Sequence, residues 1–210
     1  METLAIIIAF VLAIMIAICV HEWAHAYAAL KQGDPTAKMA GRVTLNPRKH
    51  LEPMGILMFL IVGIGWAKPV PVNPFNYKNF KRGNFWVSIA GVLTNLIMGF
   101  VASLAFFLLV RIQDPHFMVW AITWFFSFMM TINIALMIFN LLPIPPLDGY
   151  NLLKSFTKPN NKVMQFLRDN QMLLLMTILI ISIIPQIPFG IFTLAEFIYI
   201  GFLRLWGVIF

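Results

Sequence analysis

The chain alternates between long apolar runs and short polar connections. A helix needs about 20 predominantly apolar residues to cross a bilayer. Runs 4–30, 85–110, 117–142 and 189–210 meet that length, the first interrupted only by a polar cluster near its C-terminal end. A fifth, Met172 to Ile184, is short and spans only if its flanks contribute. A sixth, Met54 to Trp66, carries Gly55, Gly63 and Gly65, and its length is that of a re-entrant or interfacial segment. Between Lys31 and Arg82, GRVTLNP and KPVPVNPFN are rich in Pro, Asn and β-branched residues. They predict short extended segments and turns, a small β element near the inner surface that an extended peptide could join. A plain solvated loop fits these residues equally well.

Composition supports a membrane setting: 60% of residues are hydrophobic and 11% charged, against about 25% charged in soluble domains. The net charge of +7 does not indicate nucleic acid, because the basic residues sit in short loops between apolar runs. If Met54–Trp66 does not cross and the other five runs do, with the N-terminus outside, all 15 Lys and Arg except Arg111 fall at the inner side. Making Met54–Trp66 a span would move Lys68, Lys78, Lys81 and Arg82 outside and destroy the bias expected of cytoplasmic loops. The predicted fold is therefore an all-α polytopic membrane protein with about five transmembrane helices, plus the re-entrant or interfacial segment and the small β element. Cys19 is the single cysteine, which excludes a disulfide framework and a Cys-based metal site. The opening segment lacks a basic n-region and runs straight into polar HEWAH, so it reads as a retained span.

His21-Glu22-Trp23-Ala24-His25 is an HExxH pattern inside the first run. Spacing i, i+4 puts both imidazoles on one helical face, where they can share one zinc ion. Glu22 can approach a water at that metal and take its proton as general base. Ionisable groups inside an apolar span are costly and usually functional, which weighs against satisfied core histidines. A catalytic zinc takes three protein ligands and keeps one position open. Among candidates for the third, His50 lies in the inner loop, His116 outside and Glu196 in the last span. Asp148 follows FNLLPIPPL at the inner end of the span from Phe117, at a depth similar to His21 and His25. Pro143, Pro145 and Pro146 break the helix there, and Gly149 permits tight approach of the chain. Unwound backbone at that depth is tolerated only where it is buried in protein or faces water. These features favour Asp148.

Together the two motifs resemble the site-2 proteases, whose members carry HExxH on one core helix and N-x-x-P-x-P-x-L-D-G on another. Asn140, Pro143, Pro145, Leu147, Asp148 and Gly149 match the second pattern, and Gly91 to Asn95 resembles the G-x-x-x-N of the family's middle core helix. GRVTLNPRKHLEPMG and GWAKPVPVN are similar to the short bacterial-type branch without PDZ or CBS domains, with Glu52 standing where Asp is expected. The resemblance covers residues 4–153; the last two spans match in number and position only.

The resemblance implies an intramembrane metalloprotease core over residues 1–153, a cytoplasmic linker over 154–170, and C-terminal spans of the same domain over 171–210. It implies zinc on His21, His25 and Asp148, with Glu22 as the base. Asn140 would contact substrate or stabilise the oxyanion, and Asn95 would line the active site. Implied partners are the lipid bilayer and transmembrane protein substrates. The implied location is a bacterial plasma membrane, with the active site near the cytoplasmic side.

Gly91, Asn95 and Gly99 also read simply as a stripe for close helix packing. His50 reads as a solvated loop histidine, Cys19 as a buried apolar residue, and Glu196 receives no role. A transporter with an intramembrane metal would leave Glu22 without a task between two ligands, and the paired repeats common in transporters are absent. An inactive scaffold is disfavoured because every expected catalytic residue is present.

Overall fold

The computed structural model describes residues 1–55, 58, 65–112, 116–158, 161–183 and 190–210. The chain opens with α1 (Glu2–Gln32), 31 residues or about 46 Å of helix at 1.5 Å per residue. That exceeds the roughly 30 Å hydrocarbon thickness, so one end of α1 must stand outside it. Short helices α2 (Thr36–Met39) and α3 (Pro47–His50) follow. Then come the long helices α4 (Phe80–Ile112) and α5 (Phe117–Leu141), the short α6 (Asp148–Lys154) and α7 (Lys162–Asp169), and finally α8 (Gln171–Ile183) and α9 (Ile191–Ile209).

Among the described residues, α1, α4, α5 and α9 are long and apolar enough to cross a membrane. The short fifth run becomes α8, which meets α7 at a bend of 69°; the pair counts as a further span only when taken together. The molecule is thus mostly helical, with four or five apolar helices. The expected β element is not found among the described residues, where one isolated antiparallel bridge, Leu51 to Ala67, is present. Pro69, Pro71 and Pro74 explain this, since a ladder needs N–H groups that proline lacks. Most of the expected re-entrant segment Met54–Trp66 lies outside the described residues.

Helices α1, α4 and α5 pack against one another, with α9 against α4 and α5. Two stripes with a four-residue period make the packing close. On α1 the buried positions include Ala9, Ala13, Ala17, His21, His25 and Ala29. On α4 they include Gly83, Val87, Gly91, Asn95, Gly99 and Ser103. Lipid is as apolar as a leucine side chain, so helices associate through backbone proximity and hydrogen bonds, and small residues allow both. Ile134 of α5 is fully buried, and its side chain fills the space over Gly99. The indole of Trp206 on α9 donates to Ser103 Oγ at 2.8 Å and lies against Phe100, ring centroids 4.7 Å apart.

The antiparallel return from α1 to α4 is fixed by one carboxylate. Asp34, fully buried, accepts from Thr36 N at 3.0 Å, Thr36 Oγ1, Asn76 Nδ2 at 2.9 Å and Asn73 N at 2.6 Å. Lys78 N also donates to Gln32 O at 2.9 Å. The end of α1 is thereby tied to the residues that lead into α4. Burial pushes the Asp34 carboxyl up, but its hydrogen bonds from Thr36, Asn73 and Asn76 outweigh this and hold it below the ordinary value of 3.8.

Asp34→Ala should destabilise the fold by about 2–3 kcal/mol, the scale of lost charge-assisted hydrogen bonds, read as a lower melting temperature in detergent. A depressed carboxyl stabilises the native state above its unfolded pKa and loses that contribution as pH falls through the lower folded value. The melting difference between wild type and Asp34→Asn should therefore be full near neutral pH and shrink below 3.8. A pH-independent difference would contradict the assignment.

Candidate metal centre

His21 and His25 lie one turn apart on the buried stripe of α1. At 1.5 Å per residue they stand about 10–17 Å before its C-terminal end. Their rings meet edge to face, centroids 4.6 Å apart, with the two Nε2 atoms 3.0 Å apart. His25 Nδ1 donates to the Val87 carbonyl of α4 at 2.7 Å. In the neutral ring this leaves the Nε2 lone pair free to point at a metal. Asp148, the first residue of α6, brings Oδ2 to 3.3 Å from His21 Nε2 and 3.1 Å from His25 Nε2.

Among the described residues, His21, His25 and Asp148 form the one group of three or more such side chains placed to hold a metal ion, with ligand atoms all within 4.8 Å of one another. The donor set fits a zinc-type ion. Asp148 Oδ2 is buried and makes no well-formed hydrogen bond, although both imidazoles face it. Three Lewis-basic atoms converging in this way suit a shared cation. Tetrahedral bonds of 2.0–2.1 Å to N and O would place neighbouring ligand atoms about 3.3 Å apart, close to the separations found.

Gly91 makes the convergence possible. A methyl group there would stand 2.5 Å from both His21 Cε1 and His25 Nε2, so any larger residue would displace the rings. Asp148 depends on a second close approach: a Cβ at Gly149 would collide with the carbonyl of Leu141 at the end of α5. The start of α6 therefore sits hard against the turn Leu142–Leu147. Asn84 of α4 holds the other end of α6, its amide donating to the Asn151 carbonyl and to Ser155 Oγ at 2.9 Å.

Glu22 is half-buried, and its Oε2 accepts from Val70 N at 3.1 Å. Val70 lies between Pro69 and Pro71, so its N–H is the sole backbone donor of that tripeptide. Arg42, 5% exposed, donates to the carbonyls of Pro69 at 3.0 Å and Lys68 at 2.5 Å. Burial lowers the Arg42 guanidinium, while the Glu22 charge acts in the opposite sense. Lys68 N in turn donates to the His50 carbonyl at 2.9 Å. The segment Lys68–Val70, held by Arg42, thus reaches the carboxylate of Glu22.

The remaining candidates separate. Asn140 is half-buried near the end of α5, its Nδ2 donating to Leu136 O at 3.0 Å. Asn95 is fully buried with neither amide atom hydrogen-bonded, about 6 Å along α4 from Gly91. His50, expected in solvent, is fully buried instead, because its Nε2 donates to Thr44 O at 2.6 Å and the loop folds over it. His116 caps α5, Glu196 is exposed on α9, and Cys19 is buried as expected. Sequence reading did not find Val87, Val70, Arg42 or Asn84. The first two act through backbone atoms, which leave no side-chain signal; Arg42 and Asn84 stand in polar stretches where such residues are ordinary.

Comparison with known proteins adds a second line. The family model described as peptidase family M50 matches residues 109–184, a segment that contains Asn140 to Gly149. YwhC of Bacillus subtilis (strain 168), named as a candidate zinc metalloprotease, is 44% identical over 154 residues, covering 71% of this chain and 69% of YwhC. The chain belongs to peptidase family M50. Rip2 of Mycobacterium tuberculosis (strain H37Rv), with the same kind of name, is 34% identical over 155 residues, 70% of this chain but 57% of Rip2. MJ0611 of Methanocaldococcus jannaschii, also so named, is 35% identical over 103 residues, about half of each chain. No solved structure matches the chain. The resemblance to the site-2 proteases drawn from the two motifs is borne out by this M50 membership.

Gly91→Ala should lower metal affinity by at least about tenfold, the range seen when groups that orient metal ligands are altered, with helix content unchanged by circular dichroism. Gly201→Ala, where an added Cβ meets nothing within 4 Å, is the matched control. Equal metal content in both variants after chelator dialysis would remove Gly91 from the site.

Proposed function

We propose that the chain is an intramembrane zinc metalloendopeptidase that hydrolyses peptide bonds in transmembrane segments of other membrane proteins. The observation that carries this reading is the convergence of His21, His25 and Asp148 within 4.8 Å, on helices of a multi-pass bundle and beside Glu22. Family membership makes the protein a zinc metalloprotease; the residue roles and the substrate class are the proposal.

His21, His25 and Asp148 would hold the ion. Zinc, when bound, supplies a Lewis acid that makes a water acidic near neutral pH and polarises a carbonyl. Glu22 takes the proton of the attacking water and delivers it to the leaving amine. The Val70 N–H on Oε2 orients that carboxylate, and Arg42 holds Val70 in place through the two carbonyls before it. Asn140 stands near the end of α5, where its amide would donate to substrate or to the oxyanion. Asn95 lines the buried side of the site, and its two unpaired amide atoms would accept a substrate group or a water.

A substrate helix satisfies its own backbone and must unwind before a carbonyl is open to attack. That step is least costly near the membrane surface, where water replaces the lost hydrogen bonds. The distribution of Lys and Arg supports a plasma-membrane orientation with this surface facing the cytoplasm.

Glu22→Gln should reduce cleavage of a co-expressed model transmembrane substrate by at least about 100-fold, the lower range for a general base, while zinc remains bound. Wild-type cleavage by this variant sinks the assignment of Glu22. Asp148→Asn replaces a carboxylate by a neutral amide and should weaken zinc retention against a chelator by more than about tenfold. Undiminished retention by Asp148→Asn would point to a different third ligand.

A further inference from the structure

Away from the metal centre, a cavity of about 340 Å³ opens between the start of α4, helix α6 and helix α7. Its floor includes the buried side chains of Tyr150 and Met164. Four cations line it: Lys81, Lys154, Lys158 and Arg168. No carboxylate lines it among the described residues; Asp169 lies 3.7 Å from Arg168, with both side chains more than 60% exposed. Lys154 Nζ, which donates to Asn151 Oδ1 at 2.9 Å and lies 4.6 Å from the centre of the Tyr150 ring, makes no ion pair there. Burial, and then the charge of Arg168, lower the Lys154 ammonium below its ordinary value.

The surroundings are apolar and exposed. Phe80, Phe156, Val163 and Phe166 are each at least half exposed, and α7 meets α8 at 69°, as a helix lying along a membrane surface meets one entering it. Exposed apolar side chains beside clustered cations are the arrangement of a segment seated at the headgroup level.

We propose that this cavity binds the phosphate of one anionic phospholipid headgroup, held by Lys81, Lys154, Lys158 and Arg168 over the floor of Tyr150 and Met164. A free phosphate would be served by the cations alone. The buried apolar floor and the exposed apolar rim suit an amphiphile whose glycerol and first methylenes follow its headgroup. Tyr150 and Lys154 also belong to α6, whose first residue is Asp148, so a bound lipid would steady the helix that carries the third candidate metal ligand. That consequence rests on the metal reading above; the headgroup site does not.

The test is native mass spectrometry of the full chain released from mild detergent, titrated with phosphatidylglycerol and with phosphatidylcholine of the same acyl chains. One tight equivalent of phosphatidylglycerol is expected, at least about tenfold preferred over phosphatidylcholine. Each cation removed should weaken it about fivefold, following the contribution of one basic residue near an anionic surface. Lys154→Gln with Arg168→Gln should therefore abolish the preference. Lys38→Gln with Lys49→Gln, which removes equal charge from exposed positions elsewhere, should preserve it. If the first double variant fails to fold, Lys158→Gln at an exposed position should give the fivefold loss. Absence of a headgroup preference, or equal losses in both double variants, overturns the site. Displacement of the lipid by inorganic phosphate at millimolar concentration overturns the choice of a lipid. Since the readout is lipid mass and not cleavage, failure here leaves the metal reading standing, and the reverse holds.

Discussion

The approach of α1 to α4 at Gly91 is the contact on which the rest of the site depends. Two imidazoles need room between helices whose backbones are otherwise close enough for alanine and glycine to fill the gap. Gly91 provides that room: an added methyl group would stand 2.5 Å from both rings. The buried stripes explain why the helices come so near. The buried stripe of α1 is alanine at Ala9, Ala13, Ala17 and Ala29 with His21 and His25 between them, and that of α4 carries Gly83, Gly91, Gly99 and Ser103. Nothing in lipid would press these faces together by solvent exclusion alone. Their register is held by the Asp34 junction, which ties the end of α1 to the residues that lead into α4, while Trp206 and Ser103 fasten α9 to α4.

Given that register, the three candidate ligands reach one point from separate parts of the chain. The histidines arrive on a rigid helix, and His25 is locked by a backbone carbonyl of its neighbour. Asp148 arrives on a helix of seven residues wedged against the end of α5 and fastened to α4 through Asn84. Glu22 is held differently again, through the Val70 N–H and a loop gripped by Arg42. Of these candidate side chains, His25 and Glu22 are each oriented by a backbone atom of another segment, which is the condition for placing such groups accurately.

What could be read in advance follows from this division. The long spans were legible because an apolar run has one physical meaning in water and another in lipid, and α1, α4, α5 and α9 follow those runs closely. Gly91 and Gly99 announced close packing by spacing alone. The small sheet was not realised among the described residues because residues 69–76 carry prolines where a ladder needs donors. His50 was misplaced because burial of a loop histidine depends on which carbonyl the loop offers it, here that of Thr44. Contacts made by the backbone of Val87 and Val70 have no expression in residue type. The candidate side chains were therefore visible in the sequence, while the atoms that aim them were not.

The arrangement of the stripes also bears on how the molecule is made. Helix α1 enters the membrane before α4 or Asp148 has been synthesised. Its alanine face can wait in lipid at little cost, since alanine is apolar and carries no unpaired group. Its histidines and Glu22 stand toward the later end of the helix, where they can stay near water until their partners arrive. The candidate ligand cluster cannot close until the chain has grown past residue 148 and α6 has docked. The nascent chain is therefore without a formed cluster until then, and docking of α6 is what brings the candidate ligands together.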